Sequence, residues 1–160
     1  MSVNVILEHL SVVVAAICLT LLIGLPFGIF AYFNKTFKVF IFKVTDVLQT
    51  IPSLALLGII MIFLGGNKLT VIVGLFLYSL LPVVRNTYTG LSGIDPAVKE
   101  AAKGMGMSKM YQLIHVELPI AFPVIFTGIR IAVINQISAA VFGTFVGGGG
   151  LGTVIYRGMA

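Results

Sequence analysis

Few side chains of this sequence are of types that do chemistry, and they form no catalytic set. His9 and His115 lie far apart and have no clustered carboxylates or thiols beside them, so we expect no metal site and no cofactor. The glycine-rich segment 147–152 is not followed by Lys-Ser or Lys-Thr, which excludes a nucleotide-binding phosphate loop of that type. We therefore predict that the chain is not an enzyme.

The composition indicates a chain that lies in a membrane. Hydrophobic residues make up 59% of its 160 residues and charged residues only 9%, whereas about 25% of a soluble protein is charged. So few charges cannot cover a soluble surface, and the apolar side chains must face lipid. The basic residues form no dense run with interleaved aromatic residues, so we expect no nucleic-acid binding.

Four apolar runs predict membrane spans, each of which needs about 20 residues as a helix. The runs are residues 10–33, 47–67, 69–84 and a run from Leu118 that is interrupted only by Arg130. Their continuous apolar character favours helices over a β-barrel. We predict an all-α, polytopic transmembrane bundle. Lys43 and Asp46, three residues apart before the second run, are expected to pair.

The placement of lysines orients the predicted spans. The connections after the first and third spans are lysine-rich, and the connection after the second span contains only Lys68. Because cytoplasmic loops carry the excess of Lys and Arg, the N-terminus is expected outside and the third connection inside the cell.

Prolines and polar side chains within the spans are candidates for a solute path. Pro52 follows Gln-Thr-Ile and precedes Ser53, and it marks either a static kink or a bend at a path or gate. Asn135 and Gln136 either bond a neighbouring helix or line a pore, and Arg130 either reaches the surface or faces the bundle interior. The path or gate candidates are Pro52, Ser53, Asn86, Asn135, Gln136, Gly149 and Gly150.

The polar segment 94–118 predicts two short helices. Asp95 with Pro96 is a helix start, and Gly104 with Gly106 ends that helix. A second helix is expected from about Ser108 to His115. Methionines and a tyrosine beside lysines form an apolar patch of the kind that binds a protein partner.

This segment contains Glu100-Ala101-Ala102, then Gly106, and then Val116-Glu117-Leu118-Pro119. The spacing resembles the coupling loop of permease subunits of bacterial ATP-binding-cassette (ABC) importers, which reads Glu-Ala-Ala, three residues, Gly, nine residues, Ile-x-Leu-Pro. Val116 stands here in place of Ile. The resemblance implies that the segment docks on a cytoplasmic ATPase subunit, where ATP is hydrolysed. Glu100 is also a plain acid favoured near a helix start. The implied coupling residues are Glu100, Ala101, Ala102, Gly106, Leu118 and Pro119.

Segments 49–58, 81–90 and 145–152 resemble the permeases of glycine betaine, carnitine and choline importers. The resemblance implies a MetI-like transmembrane domain over residues 1–160, a second permease copy or paralogue, and a substrate-binding protein. It also implies the bacterial inner membrane. Permeases for ergothioneine or methionine are the alternative. The family normally has a further helix after the glycine-rich segment, so we expect four spans here and a fifth cut off.

The sequence argues against two other classes of protein. A secondary transporter or channel would place charged residues at several mid-membrane positions, and here only Arg130 qualifies. An intramembrane enzyme would need paired acids or a nucleophile with its base at one depth, and the sequence shows neither.

Overall fold

The computed structural model describes residues 3–159, and its regular elements are helices. Between α6 and α7 lies a π-helical turn, Leu113–Glu117, and a 3₁₀ segment, Ala140–Val146, continues α7. The predicted all-α fold is confirmed. The helices are α1 Val3–Phe33, α2 Lys35–Thr50, α3 Ser53–Leu64, α4 Lys68–Ser92, α5 Pro96–Gly104, α6 Lys109–Gln112, α7 Leu118–Ala139 and α8 Leu151–Met159.

Three helical stretches among the described residues are long and apolar enough to cross a membrane. They are Val3–Phe33, Lys68–Ser92 and Lys109–Val146, and α2 with α3 gives a fourth if this bent pair counts as one span. The third predicted span was expected to end at Val84, but α4 continues to Ser92. Arg85 does not end the helix because arginine is a good helix former, and its guanidinium pairs with Asp46. The predicted fifth span stays a prediction.

The second predicted span, residues 47–67, is wrong in its bounds. The helical stretch starts at Lys35, where the Asn34 side chain accepts a hydrogen bond from the Phe37 N–H. It then breaks at Ile51 and Pro52, and the axes of α2 and α3 differ by 104°. Ile51 is extended (φ −81°, ψ 125°) because a residue before proline avoids the helical region.

The predicted pairing of Lys43 with Asp46 is also wrong. Both carboxylate oxygens of Asp46 accept hydrogen bonds from the Arg85 guanidinium, at 2.7 and 3.0 Å. Asp46 thus pairs with a residue of α4 and not with Lys43 on its own helix.

Small residues bring α1, α4 and α7 close together at the centre of the bundle. A Cβ atom built on Gly28 of α1 would lie 2.5 Å from the Thr87 Cβ of α4. A Cβ on Gly128 of α7 would lie 2.5 Å from the Pro82 carbonyl oxygen on the same α4 helix. Such contacts let helix backbones pack closely in a membrane. Helix α4 is therefore the element that positions both neighbours.

The two ends of the bundle carry different segments. The end that holds segment 94–118, with the last residues of α1 and α4, is called the loop end. The opposite end holds the first residues of α1 and α4 and residues 147–150, and it is called the glycine end.

Candidate functional site

The first helix of segment 94–118 begins and ends at the predicted residues. The Asp95 carboxylate accepts from the Ala97 N–H at 2.8 Å, and Pro96 takes the first helical position. At the other end Gly106 has φ +79°, its N–H donates to the Lys103 carbonyl, and the Met107 N–H donates to the Ala102 carbonyl. This is the Schellman pattern, which requires a left-handed residue and so favours glycine.

The second helix of the segment differs from the prediction. The Ser108 hydroxyl accepts from the Tyr111 N–H at 3.4 Å and starts α6, but the helix does not stop near His115. It continues through the π-helical turn directly into α7. Pro119 lies in the first turn of α7 and lacks the N–H that a regular helix would use, and a π-turn accommodates such a missing donor.

The structure divides the predicted coupling residues into an outer and an inner group. Glu100, Ala101, Gly106 and Pro119 are exposed at the loop end. Ala102 is buried, and Leu118 packs against the apolar cluster around Leu91, Ile94 and Leu113. The outer group is available to a partner, whereas the inner group holds the segment on the bundle. Their part in coupling stays a prediction.

A polar cluster beneath α5 was missed by the sequence analysis. The Lys99 ammonium donates to the Leu91 carbonyl at 3.0 Å and lies 4.9 Å from the centre of the Tyr32 ring. The Gln112 amide donates to a carboxylate oxygen of Glu117 at 2.8 Å. Glu117 is buried, and its other oxygen has no partner among the described residues. These side chains line a cavity of about 550 Å³. The only sequence signal was a glutamate at the variable position before Leu-Pro.

At the glycine end, residues 147–150 contact two segments that the sequence did not connect with them. Lys68 and Glu8 form an ion pair at 2.7 Å, and the Gly150 N–H donates to the other Glu8 oxygen at 3.3 Å. Gly149 has φ +70°, and a Cβ there would lie 2.7 Å from the Glu8 carboxylate. Gly147 has φ +77° and lies against the Gly66 backbone. Glycine is needed for both conformation and space.

The remaining path candidates lie in two other places. Pro52 and Ser53 stand at the break between α2 and α3. Gln136 is fully buried among α1, α4 and α7, where its amide donates to the Thr20 hydroxyl at 2.7 Å. This contact corresponds to a bond between neighbouring helices rather than to an accessible side chain. Asn135, next to it, is half-buried.

The proline in α4 leaves a helix carbonyl that another helix satisfies. Pro82 has no N–H for the Tyr78 carbonyl, and the Gln49 side chain of α2 donates to that oxygen at 2.7 Å. The Asn86 amide in turn donates to the Pro82 carbonyl at 2.8 Å. The seven path candidates thus lie at the break, in the bundle interior and at the glycine end, and their shared role stays a prediction.

The polar groups described above form ion pairs and hydrogen bonds, and no metal-ligand set is among them. Within residues 3–159 no group of three or more His, Cys, Asp or Glu side chains lies close enough to hold a metal ion.

Known proteins with similar sequences are transport permease proteins. The chain is 45% identical over 151 residues to the glycine betaine/carnitine/choline transport system permease protein OpuCD of Bacillus subtilis, covering 94% of this chain and 66% of that protein. It is 48% identical to the choline transport system permease protein OpuBD of the same organism, covering 85% of this chain and 60% of the relative. For the carnitine transport permease protein OpuCD of Listeria monocytogenes the identity is 44%, over 86% and 61%. The chain therefore spans less than two thirds of the length of these three relatives.

A solved structure has the same fold. It belongs to the MetNI methionine ABC transporter in an inward-facing conformation and aligns with a TM-score of 0.84 at 24% identity, over 98% of this chain and 82% of that one. The predicted MetI-like fold is confirmed. Residues 21–159 also match the family described as binding-protein-dependent transport system inner membrane component. On the fold and this match together, the chain belongs to the family of binding-protein-dependent transport system inner membrane components.

Proposed function

We propose that this chain is the membrane-spanning permease subunit of an ATP-driven importer, with ATP hydrolysed by a separate cytoplasmic ATPase subunit bound at the loop end. Residues 1–160 act as its transmembrane domain, and residues 94–118 act as the coupling loop. The loop end then faces the cytoplasm and the glycine end faces outward, as the lysine distribution predicts. The family match and the names of the relatives support this assignment.

The observation that carries the proposal is the exposed surface of α5, the turn after it and α6. This coupling surface consists of Glu100, Ala101, Met105, Gly106 and Met110. Met105 and Met110 are 70% and 64% exposed, although both are large apolar side chains. Exposed apolar side chains rimmed by charged residues are typical of a protein interface. An ATPase with an apolar groove is the partner that such a short, protruding helix fits.

The structure also offers a route by which this surface moves the spans. Helix α5 is held on the bundle by buried Ala102 and by the Lys99 hydrogen bond to the Leu91 carbonyl. Helix α6 is continuous with the span formed by α7. Displacement of the coupling surface by the ATPase is therefore transmitted to two spans as rigid-body motion.

The solute is a small quaternary-ammonium or amino-acid-like compound, with glycine betaine, choline and carnitine as the first candidates. These are the compounds in the names of the similar permeases. A binding protein delivers the solute at the glycine end, and a second permease copy or a paralogue completes the path. Ergothioneine and methionine are the alternative solutes.

The decisive experiment co-purifies the chain with a co-expressed candidate ABC ATPase. Glu100→Arg reverses an exposed charge, and Gly106→Trp forces a bulky side chain into a left-handed position that has open space around it. Both variants are expected to lower the recovered ATPase at least tenfold. Thr36→Arg, exposed at the same end but outside the loop, is the matched control. ATPase recovery unchanged in both loop variants would contradict the assigned docking surface.

Uptake by membrane vesicles tests the transport itself. Labelled glycine betaine, choline and carnitine are each offered with the binding protein, with and without ATP inside the cytoplasmic compartment. Uptake that requires ATP is expected. Uptake that proceeds at the same rate without nucleotide would instead identify a secondary transporter or channel.

A further inference from the structure

The ion pair between Asp46 and Arg85 is half exposed. The Arg85 side chain is 46% and the Asp46 side chain 50% accessible, although the two charges lie only 2.7 Å apart. Asp46 belongs to α2 and Arg85 to α4, so the pair bridges the broken span and the central helix. The described residues of this chain leave about half of each side chain uncovered.

The pair lies well inside the bundle and not at its end. Helix α2 runs antiparallel along α4, because Lys38 donates to the Tyr88 hydroxyl near the loop end and Gln49 donates to the Tyr78 carbonyl further in. At 1.5 Å per residue, Arg85 is about 10 Å from Ser92, the last residue of α4. By the same measure Asp46 is roughly 16 Å from Lys35, the first residue of α2.

Counted from Lys68 at the glycine end, Arg85 lies about 26 Å along α4, which is within a hydrocarbon core of about 30 Å, so lipid does not suit the exposed side of the pair. Ionised groups among acyl chains are costly and normally face a bundle interior or a water-filled cavity. A long arginine side chain reaches a membrane surface when it is free, but here the guanidinium is held on Asp46, whose side chain is too short to reach out. By contrast, the exposed side of α1 at comparable depth carries Leu22 and Phe30.

We infer that Asp46 and Arg85 line a water-filled passage through the half of the membrane nearest the loop end. Under the proposed function, on which this step depends, the passage is the route of the solute. The solute then contacts this ion pair after it passes the break at Pro52. Neither residue was a candidate for the path in the sequence.

The neighbours of the pair fit a zwitterion with a carboxylate and a quaternary ammonium. The Arg85 guanidinium carbon lies 5.1 Å from the centre of the Phe42 ring, and that ring meets the Tyr88 ring edge to face at 5.4 Å. Arg85 offers a charged donor for a carboxylate. Asp46 and the half-buried aromatic rings offer the negative charge and the π-faces that attract a quaternary ammonium.

Thiol labelling tests whether water reaches the pair. Cys18→Ser removes the single cysteine of the sequence. In that background Asp46→Cys, Arg85→Cys and Thr50→Cys are made in the transporter assembled with its ATPase. Thr50 is exposed one turn deeper than Asp46 on α2, and its variant keeps both charges, so it reports even if the others fail to fold. The reagent is methanethiosulfonate ethyltrimethylammonium, which is charged and does not cross membranes.

The matched controls are Leu22→Cys and Phe30→Cys on α1, which are 73% and 52% exposed. They bracket the level of Arg85, because Gly24 packs against Val83 and Gly28 against Thr87. We expect positions 46, 50 and 85 to react at least tenfold faster than both controls. Equal rates would overturn the passage, whether lipid or a second copy of the chain covers the pair.

Protection then tests contact with the solute. Glycine betaine at saturating concentration is expected to slow labelling of Thr50→Cys at least threefold. Fast labelling without protection by glycine betaine, choline or carnitine would support the water-filled passage. It would overturn the contact between the ion pair and a zwitterion. If the proposed function is wrong, the unmodified transporter shows no ATP-dependent uptake. The labelling rates still report whether water reaches the pair.

Discussion

Replacing Gly28 by alanine is expected to destabilise the bundle, although alanine is the better helix former. A Cβ atom at Gly28 would lie 2.5 Å from the Cβ and 2.8 Å from the Cγ2 of Thr87, and 3.0 Å from the Val84 carbonyl oxygen. Thr87 is itself fully buried and cannot turn away. Gly58 on α3 is the matched control, because a Cβ there has no atom within 4 Å.

The magnitude follows from comparing the two substitutions. Both gain about 1 kcal/mol of helix propensity, so this contribution cancels in the difference. At Gly28 the α1 and α4 backbones must also separate by about 1 Å to restore ordinary contact, and overpacking of this kind costs about 1–3 kcal/mol. For a chain of this size that difference corresponds to roughly 2–12 °C in Tm.

The assay is thermal unfolding of both variants in the same detergent, followed by the circular dichroism of the helices. Gly28→Ala is expected to melt below the parent protein, and Gly58→Ala at or above it. If Gly28→Ala melted at the temperature of Gly58→Ala or higher, the close packing of α1 on α4 would be refuted.

Three other substitutions test contacts described above. Gln136→Ala should destabilise the bundle by about 1–3 kcal/mol because it removes a buried hydrogen bond. A double-mutant cycle with Thr20→Val should return a coupling free energy of about 0.6–1.7 kcal/mol, and additive Tm shifts would contradict the hydrogen bond. Lys68→Glu should impair uptake, and the exchange Glu8→Lys with Lys68→Glu should restore it in part, because it restores the charge pair but removes the acceptor of the Gly150 N–H. A double variant no better than the single one would argue against charge pairing. Gln49→Leu should lower the Tm by about 2–12 °C, since it leaves the Tyr78 carbonyl unpaired at a cost of about 1–3 kcal/mol. An unchanged Tm would show that water replaces the amide.

The sequence predicts the local features of this fold well. Long apolar runs identify α1, α4 and α7 because a span must satisfy its own backbone groups. Asp95 with Pro96 and the left-handed Gly106 mark both ends of α5 because caps depend on neighbouring residues alone. These are signals that a short stretch of chain carries by itself.

The errors arise where the partner of a charge is distant in sequence. Counting charges excluded residues 35–46 from any membrane helix and ended the third span at Val84. Lys38 in fact bonds Tyr88, 50 residues away, and Asp46 pairs with Arg85, 39 residues away. Charged residues that pair in this way lie within helices that the apolar runs alone do not predict.

The candidate sites show the same limit. The glycine-rich segment was recognised as a motif, but its contact with Glu8 lies 142 residues away from Gly150. Gln136 was compatible with either a pore or a helix contact, and only its burial beside Thr20 separates these alternatives. Local patterns therefore indicate which residues matter more readily than what they touch.

The continuous helix from Lys109 to Val146 has a mechanical consequence. It is about 60 Å long at 1.5–2.0 Å per residue, and it connects the loop end with the glycine-rich segment just beyond Val146. A tilt of about 5° at one tip shifts the opposite tip by about 5 Å over such an arm. That shift exceeds the reach of the 3.3 Å hydrogen bond between Gly150 and Glu8. Under the proposed function, a small displacement of the loop end is thus enough to break a contact at the glycine end.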